Sequence, residues 1–230
     1  MKTRTWMLPV LVSALVLGTW GCGDDDDDGA ASDADTDADT DADTDADTDG
    51  DTDADTDADG DTDGDTDTML DEVTDEVEIE TSMGSFTVGL FGDAGPITVT
   101  NFLSYVDSGF YEDTIFHRVI PGFMIQGGGL DEELSTLPTD PPIALEIISW
   151  LSHQPGVVSM ARATAPNSAT SQFFVCVDDD SSLDGDYAAF GIVLEGYDVV
   201  EAISVVETES VGIYDNVPVT PVTIDAVTLL

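Results

Sequence analysis

One short stretch of the sequence crowds together side chains of the kind that ligand sites use. Residues 116–129 read Phe-His-Arg-Val-Ile-Pro-Gly-Phe-Met-Ile-Gln-Gly-Gly-Gly, so an arginine, a glutamine and large apolar side chains stand among four glycines. Glycine permits positive φ angles and a close approach of the backbone, which suit a ligand site. We find no phosphate-binding loop, no metal-ligand spacing and no Ser/His/Asp or Cys/His set in the sequence. These residues on their own thus give no signal for a cofactor, a metal or a covalent intermediate.

Positive charge is so scarce that each cation of the folded part stands out. The 230-residue chain has 50 acidic residues and four cations, and its net charge is −46. Lys2 and Arg4 belong to the first segment, which leaves Arg118 and Arg162 for the rest of the chain. Contacts with nucleic-acid phosphates depend on Lys and Arg, so this composition argues against nucleic acid as a partner. Two arginines in such an acidic background are expected to have specific tasks.

Short apolar runs separated by turn signals predict the elements that position these side chains. Residues 77–81 and 86–90 alternate in polarity and flank a glycine-containing turn, which is a hairpin signal. Residues 101–106 and 197–203 have helical spacing. Further strands are predicted at residues 157–160, 173–177, 190–194 and 219–227. Many short strands with two helices predict a mainly β fold, a closed or nearly closed antiparallel barrel.

The first 22 residues have the layout of an export signal. Lys2 and Arg4 precede the apolar run 8–17, which is shorter than the ~20 residues that a membrane-spanning helix needs. The final Gly21-Cys22 is similar to a bacterial lipoprotein signal, in which the cysteine becomes the lipidated first residue. We therefore expect export to the periplasm or cell envelope and a membrane anchor on Cys22. The alternative is an ordinary secretory signal with an incidental cysteine.

An aspartate-rich segment separates this signal from the folded part. Residues 24–67 hold 23 of the 50 acidic residues and no cation, mostly as Asp-Ala-Asp-Thr units. Such a stretch has little apolar surface to bury and repels itself, so residues 23–72 are predicted to form a disordered spacer. Residues 45–50 and 55–60 reproduce the start of a calcium loop, but threonine stands where its bidentate glutamate belongs. We expect weak, non-stoichiometric calcium association, and formed calcium sites are the alternative.

A second long motif accompanies the first one. Residues 159–174 read Ser-Met-Ala-Arg-Ala-Thr-Ala-Pro-Asn-Ser-Ala-Thr-Ser-Gln-Phe-Phe. Together with residues 116–129, Leu183-Asp-Gly185 and Phe190-Gly191, this motif makes residues 75–230 resemble the cyclophilin family of peptidyl-prolyl cis-trans isomerases. Its Met-Ala-Arg and Asn-Ser-Ala-Thr-Ser-Gln variants are similar to the bacterial periplasmic branch. The resemblance implies an eight-stranded antiparallel barrel capped by two helices, with a substrate groove on one outer face.

The resemblance also implies roles for individual residues. It makes Arg118 the catalytic residue, which hydrogen-bonds to the proline nitrogen as the X-Pro bond twists. The implied substrate-binding residues form a proline pocket, a polar wall and a strand edge that pairs with the substrate backbone: Phe123, Met124, Gln126, Ala161, Arg162, Gln172, Phe174, Leu183 and Tyr187. Arg162 is expected to act mainly through its backbone. Without the resemblance, the apolar members of this set are better explained as ordinary core.

Two positions depart from the best-known eukaryotic members of the family. Ser182 stands where they have a tryptophan, and Tyr187 stands where they have a histidine. The tyrosine still offers an aromatic face and a hydroxyl, so we expect catalysis to be retained. Loss of the tryptophan predicts weak binding of cyclosporin. Of the two histidines, His117 is expected to be a structural hydrogen-bonding residue and His153 a surface loop residue.

The function predicted from the sequence is isomerisation of X-Pro bonds in exported proteins, which assists their folding. The expected partners are proline-containing segments of unfolded or exported chains, and the expected oligomeric state is a monomer. Two alternatives remain open. One is a lipid-anchored module that holds proline-containing segments without turnover, and the other is a surface calcium buffer in which the acidic spacer is the working part.

Overall fold

The computed structural model describes residues 69–230, the part of the chain that carries both sequence motifs. The predicted export signal, the lipidation site at Cys22 and the spacer up to residue 68 lie outside the described residues. Within residues 69–230, none of the helices has the length and apolar character required to cross a membrane.

The described part of the chain is mainly β, with two helices. The strands are β1 (Asp75–Thr81), β2 (Gly84–Leu90), β3 (Thr114–Ile115), β4 (Arg118–Ile120), β5 (Met124–Gly127), β6 (Val157–Met160), β7 (Phe173–Cys176), β8 (Ala189–Glu195), β9 (Thr208–Val211), β10 (Tyr214–Pro218) and β11 (Thr223–Leu229). The helices are α1 (Pro96–Asp107) and α2 (Tyr197–Ser204), and a short 3-10 helix spans Ser181–Leu183. Nine strands form one antiparallel sheet in the order β3-β11-β1-β2-β8-β6-β7-β5-β4, and β9 pairs with β10 in a separate ribbon.

The two edge strands of the large sheet, β3 and β4, are consecutive in the chain and are separated only by Phe116 and His117. Strand β3 pairs with β11, whereas β4 pairs with β5 at the opposite end of the strand order. One bent strand therefore joins both edges and curls the sheet into a barrel. With β3 and β4 counted as one strand, the sheet has the eight strands that the resemblance implied. The prediction of a mainly β antiparallel barrel with two helices is confirmed.

Helix α1 packs against the barrel core through an aromatic side chain. Pro96 stands at its first turn, where a missing N–H costs no helical hydrogen bond. The helix therefore begins before residue 101, the start predicted from apolar spacing. Phe102 is buried, and its ring lies 5.2–5.7 Å from those of Tyr111, Phe173 and Phe190. This aromatic group fills the inside of the barrel.

Alternation along the strands sends neighbouring residues to two different apolar clusters. In β7, Phe173 and Val175 belong to the barrel core, whereas Phe174 and Cys176 belong to a second cluster that contains Met124. Successive side chains of a strand point to opposite faces, so this second cluster lies on the outer face of the sheet. The continuous apolar run of β7 thus serves both the core and an outer surface.

A third apolar cluster of the domain is contacted by the first residues that the structure describes. Its buried members are Phe91, Ile148, Leu151, Val157 and Ala189. Met69 and Val73 pack against this cluster. Residues 69–73, which overlap the end of the predicted spacer, therefore contact the folded domain.

Candidate active site

The outer face of the sheet carries a row of side chains that crosses three neighbouring strands. Arg118 of β4 lies opposite Gln126 of β5, and Gln126 lies opposite Phe174 of β7. Directly opposed residues point to the same face of a sheet, so the guanidinium, the amide and the phenyl ring follow one another along a line. Met124 lies two residues before Gln126 and therefore shares this face. Strand pairing thus places Arg118 beside apolar side chains from distant parts of the sequence.

A cavity of about 130 Å³ opens beside this row. It is lined by Arg118, Phe123, Met124, Gln126, Ala161, Arg162, Phe174, Leu183 and Tyr187. All of these belong to the ten catalytic and substrate-binding residues predicted from the sequence. The tenth, Gln172, does not line this cavity, but its Oε1 accepts a 2.9 Å hydrogen bond from Nε2 of Gln126, which does. An apolar cavity of about 150 Å³ can hold benzene, so this cavity suits one small ring.

The cavity has a buried floor and a partly exposed rim. Met124 and Phe174 are almost fully buried, whereas Phe123, Leu183 and Tyr187 are half-buried around them. The backbone N–H of Tyr187 donates to the carbonyl of Leu183 at 3.2 Å, so a compact turn holds both rim residues. The Tyr187 ring meets the Phe174 ring edge to face, with centroids 5.8 Å apart. The aromatic ring of Tyr187 therefore bounds this side of the cavity.

The guanidinium of Arg118 faces the cavity, and no carboxylate within residues 69–230 pairs with it. Its Nη1 lies 3.4 Å from Oε1 of Gln126 and 3.9 Å from Sδ of Met124, and its Cζ lies 5.9 Å from the centre of the Phe123 ring. Among residues 69–230, Arg118 makes no ion pair, although the domain is strongly acidic. A guanidinium has five N–H donors, and Arg118 thus has donors available to a ligand in a cavity whose floor is apolar.

Arg162 differs from Arg118 because the protein itself uses its donors. Its Nε donates a 2.7 Å hydrogen bond to the carbonyl of Asp186, and its Nη1 donates to the carbonyls of Ala163 and Thr164. Its guanidinium lies over the Tyr187 ring, 4.6 Å from the ring centre. The side chain therefore fastens the segment after β6 to the loop that carries Tyr187. This structural task of the side chain was not predicted from the sequence.

The predicted strand edge begins where β6 ends. Ala161 directly follows Met160, the last residue of β6, and its backbone N–H donates a 2.9 Å hydrogen bond to the carbonyl of Gln172. This N–H is thus used inside the protein. A substrate backbone can use Ala161 only as a hydrogen-bond acceptor.

His153 is buried, so the expectation that it is a surface loop residue is wrong. Only 1% of the residue is exposed, and its ring stacks on Phe174 with centroids 6.0 Å apart. Its Nδ1 lies 2.7 Å from Oδ1 of Asp184, and its Nε2 lies 3.0 Å from Oγ of Ser159. These polar partners satisfy both ring nitrogens, which allows the histidine to be buried. The local sequence gave no sign of this, because all three partners come from other segments.

The protonation of Asp184 determines the direction of these hydrogen bonds. Partial burial raises the pKa of Asp184, but hydrogen bonds from Ser152 and His153 outweigh this effect, and the pKa lies below its usual value. A carboxylate only accepts, so Nδ1 of His153 donates to it, and in the neutral ring Nε2 accepts from Ser159. Ser159 is fully buried and cannot meet a substrate. The hydrogen bonds of His153 therefore hold Asp184, the neighbour of Leu183, in place. Ser159 does not serve as a nucleophile.

Two other reactive groups near the cavity are also unsuited to covalent chemistry. Burial raises the pKa of the Cys176 thiol far above its ordinary value. Burial lowers the pKa of His117 to about 4, so its ring is neutral near pH 7. The buried Nδ1 of His117 has no hydrogen-bond partner in the described part of the chain, so the expected structural hydrogen bond is not made at this atom. Within residues 69–230, no group of three or more His, Cys, Asp or Glu side chains is placed to hold a metal ion.

Comparison with known proteins agrees with this geometry. Residues 76–229 match the family described as cyclophilin type peptidyl-prolyl cis-trans isomerase/CLD. The chain is 45% identical over 157 residues to peptidyl-prolyl cis-trans isomerase A of Dickeya dadantii, with 66% of this chain and 83% of that protein covered. It is 43% identical to peptidyl-prolyl cis-trans isomerase B of Escherichia coli, with 65% of this chain and 96% of that protein covered.

A solved structure shares the fold. The crystal structure of a cyclophilin type isomerase from Cryptosporidium parvum has a TM-score of 0.60 at 28% identity, with 68% of this chain and 97% of that chain covered. The chain therefore belongs to the family of cyclophilin-type peptidyl-prolyl cis-trans isomerases.

Proposed function

We propose that this isomerase acts on X-Pro bonds of exported polypeptides in the periplasm or cell envelope and assists their folding. Uncatalysed prolyl isomerisation takes roughly tens to hundreds of seconds, so it can limit the folding of an exported chain. The proposed location is supported by the N-terminal sequence. Lys2, Arg4, the apolar run 8–17 and Gly21-Cys22 favour export followed by lipidation of the cysteine.

Arg118 is proposed to stabilise the twisted state of the X-Pro bond. Rotation faces a barrier of about 20 kcal/mol, because the partial double bond of the amide must be lost. As the bond twists, the proline nitrogen regains a lone pair. A guanidinium beside the ring can donate to this lone pair only in the twisted state, so it stabilises the transition state more than either ground state. No bond to the substrate is made or broken, and this chemistry needs no cofactor.

The cavity is proposed to hold the proline ring on its apolar floor while the preceding peptide unit rotates. Its size suits one small ring, and its floor of Met124 and Phe174 excludes water from that ring. Exclusion of water strengthens a hydrogen bond from Arg118 to the twisted nitrogen. The structure of the Cryptosporidium parvum isomerase in the presence of the dipeptide Ala-Pro supports a proline-containing ligand.

The polar wall is proposed to orient the rest of the substrate. Gln172 holds the amide of Gln126, whose Oε1 lies 3.4 Å from Nη1 of Arg118. This contact limits the positions that the guanidinium can adopt. The carbonyl of Ala161 is available as an acceptor for a substrate N–H. The proline ring and the backbone of the substrate would thus be held at separate points. Rotation about the X-Pro bond requires this, because one side of the bond must stay fixed while the other turns.

The observation that carries the proposal is the guanidinium of Arg118, free of carboxylates within residues 69–230, at the edge of a proline-sized cavity. The test is the rate of cis-trans exchange of a short Ala-Pro peptide, measured by exchange NMR with the purified mature chain. We expect exchange far above the uncatalysed rate. Peptide binding without acceleration would favour the alternative module that holds proline-containing segments.

The proposed location has a test of its own. Cell fractionation should recover the protein with membranes of the envelope, and Cys22→Ala should release it into the soluble exported fraction. Recovery of the unmodified protein in the cytoplasm would contradict the proposed location but not the chemistry of the domain.

A further inference from the structure

Large apolar side chains are exposed at a place that does not line the proline cavity. Trp150 is 45% exposed, Ile147 is 40% exposed and Ile97 is 48% exposed. Ile147 and Trp150 belong to the connection between β5 and β6, and Ile97 lies in the first turn of α1. Exposed apolar residues that are scattered singly are ordinary, whereas a group of them marks an interaction surface.

Hydrogen bonds between this connection and α1 bring the two isoleucines together. Oε2 of Glu146 accepts hydrogen bonds of 3.0 and 3.1 Å from the backbone N–H and the hydroxyl of Thr98. Ile147 directly follows this glutamate, and Ile97 directly precedes the threonine. The two exposed side chains therefore belong to segments that are fastened to each other.

Trp150 is held against the start of the same helix. Its ring packs edge to face on the buried Phe91, with centroids 5.1 Å apart. The carbonyl of Phe91 accepts a 2.8 Å hydrogen bond from the backbone N–H of Gly95, the residue before α1. Part of the indole is thus anchored on the domain, and the rest is open to a ligand. We call Ile97, Ile147 and Trp150 the apolar surface.

Charge limits what can bind to the apolar surface. Residues 147–177 contain no Asp or Glu, although the domain as a whole is strongly acidic and has Arg118 and Arg162 as its only cations. Two copies of such a domain repel each other, and an anionic lipid surface repels it as well. The Asp-rich residues 24–67 offer no apolar side chain larger than alanine. An uncharged or cationic polypeptide with exposed apolar side chains is the occupant that fits.

We propose that the apolar surface binds apolar segments of unfolded polypeptides and does not require a proline in them. Unfolded chains expose the apolar side chains that folded proteins bury. Contact with such a segment removes apolar area of both partners from water, which is favourable. This binding goes beyond the proposed isomerisation, because it gives the protein a second means of retaining a client chain.

The position of the apolar surface allows one client chain to use both sites. A small cavity of about 50 Å³ is lined by Ile147 and also by Tyr187, a rim residue of the proline cavity. A client held on the apolar surface therefore keeps its prolines close to Arg118. Linked binding of this kind raises the effective concentration of those prolines at the cavity.

Trp150 itself reports whether the apolar surface is occupied. Trp6 and Trp20 lie in the predicted export signal, so Trp150 is the only tryptophan of the mature chain. The probe is a short soluble peptide of leucine, valine and lysine, and its matched control has serine in place of leucine and valine. With the apolar probe we expect a saturable blue shift of the tryptophan emission, and with the serine peptide we expect none.

A substitution outside the fluorophore tests the surface by the same readout. Ile97→Ser should weaken binding of the apolar probe by about fivefold, because it removes one of the three apolar contacts. Val205→Ser is the matched control and should leave the binding unchanged. Val205 is 71% exposed and belongs to none of the three apolar clusters.

Steady-state kinetics tests the link to catalysis. The two substrates are a short Ala-Pro peptide and a reduced, alkylated protein whose refolding is limited by one X-Pro bond. Trp150→Ser should raise KM for the unfolded protein several-fold and leave kcat/KM for the short peptide unchanged. Circular dichroism checks folding, and Ile97→Ser provides the same comparison if Trp150→Ser does not fold.

Several results would overturn the inference. They are an emission that does not respond to the apolar probe, an equal response to the serine peptide, and equal KM values for the unfolded protein in Trp150→Ser and Val205→Ser. An emission that shifts with protein concentration alone would assign the surface to a second copy, and a shift on phosphatidylglycerol vesicles would assign it to lipid. Failure to isomerise the short peptide would refute the proposed function, whereas the proline-free titration would still decide the apolar surface.

Discussion

His153 lies almost parallel to Phe174, with the two ring planes inclined by 14° and the centroids 6.0 Å apart. Phe174 forms part of the floor of the proline cavity, so the imidazole supports this floor from behind. The same imidazole binds Asp184, which directly follows the rim residue Leu183. A single buried side chain thus fixes both the floor and the rim of the cavity.

Loss of this support should weaken substrate binding. His153→Ala leaves the buried hydroxyl of Ser159 without its partner and removes the imidazole hydrogen bond to Asp184, which keeps the one from Ser152. We expect a loss of about 1–3 kcal/mol in the free energy of unfolding. We also expect KM to rise several-fold while kcat changes less, because the walls of the cavity lose their support. Steady-state kinetics and urea unfolding measure both effects. The neighbouring Gln154→Ala is the control, and equal KM values for the two variants would contradict the role of His153.

Replacement of Arg118 should abolish most of the catalysis. Arg118→Ala removes the donor that meets the twisted nitrogen, and loss of one such preorganised donor costs about 2.7–4 kcal/mol, or 10²–10³ in rate, at other sites. Arg118→Lys should restore little, because an ammonium does not reproduce the planar fork of donors. Exchange NMR gives the rates, and circular dichroism confirms folding. A folded Arg118→Ala protein with near-normal kcat would show that the mechanism is wrong.

Arg162→Ala should have a smaller effect of a different kind. Its guanidinium holds the carbonyl of Asp186 and covers Tyr187, so the rim of the cavity loosens without it. We expect kcat/KM to fall by less than about tenfold, mainly through KM. Comparison of kcat and KM with those of Arg118→Ala checks this. A fall in kcat as large as that of Arg118→Ala would instead place Arg162 in the catalytic step.

Cyclosporin should inhibit this isomerase weakly. Ser182 is exposed in the 3-10 helix and does not line the cavity, so it offers neither an indole donor nor a wide apolar face. Aromatic anchors of this kind often dominate binding. Ser182→Trp should lower the inhibition constant, whereas Ser181→Trp, one position earlier on the same turn, should change it less. Strong inhibition of the unmodified protein would contradict this prediction.

The buried His117 should make stability depend on pH. Its folded pKa is about 4, below the unfolded value of roughly 6.5, so only the unfolded chain binds this proton between these two values. The free energy of unfolding therefore falls as pH is lowered through this window. Each pKa unit is worth about 1.4 kcal/mol, so this contribution is on the order of 3 kcal/mol.

The variant His117→Asn isolates this effect from the titration of the many carboxylates. Urea unfolding from about pH 7 to pH 4 should show that the stability of the wild type relative to the variant decreases as the pH falls. Two curves that stay parallel over this range would show that burial of His117 does not govern this part of the pH dependence.

The sequence was sufficient for the fold class and for the grouping of the site residues. The two motifs supplied Arg118, Gln126 and Phe174, and the strand register places these three in one row across β4, β5 and β7. The alternation of side chains along β7 could not show which residues face the core and which face outward, because β7 is buried on both sides. The family resemblance was needed to assign Phe174 to the site and not to the core.

The sequence was not sufficient for contacts that depend on side chains from distant loops. His153, in the loop before β6, meets Asp184 after the 3-10 helix, and only the folded structure brings these two residues together. The same reason applies to the side chain of Arg162, whose acceptor is a backbone carbonyl 24 residues away. A carbonyl acceptor is present at every residue, so no sequence pattern marks it.

The strand that closes the barrel also constrains the order in which the domain can mature. Thr114 and Ile115 of β3 pair with Ile224 and Thr223 of β11, the last strand of the chain. The residues that line the proline cavity all lie between Arg118 and Tyr187, so they leave the ribosome well before β11 does. Pairing over such sequence distances is slow, because the intervening chain must first be closed into a loop. The domain can therefore complete its barrel and present a rigid site only after β11, which is made later than every residue of the cavity, has emerged from the ribosome.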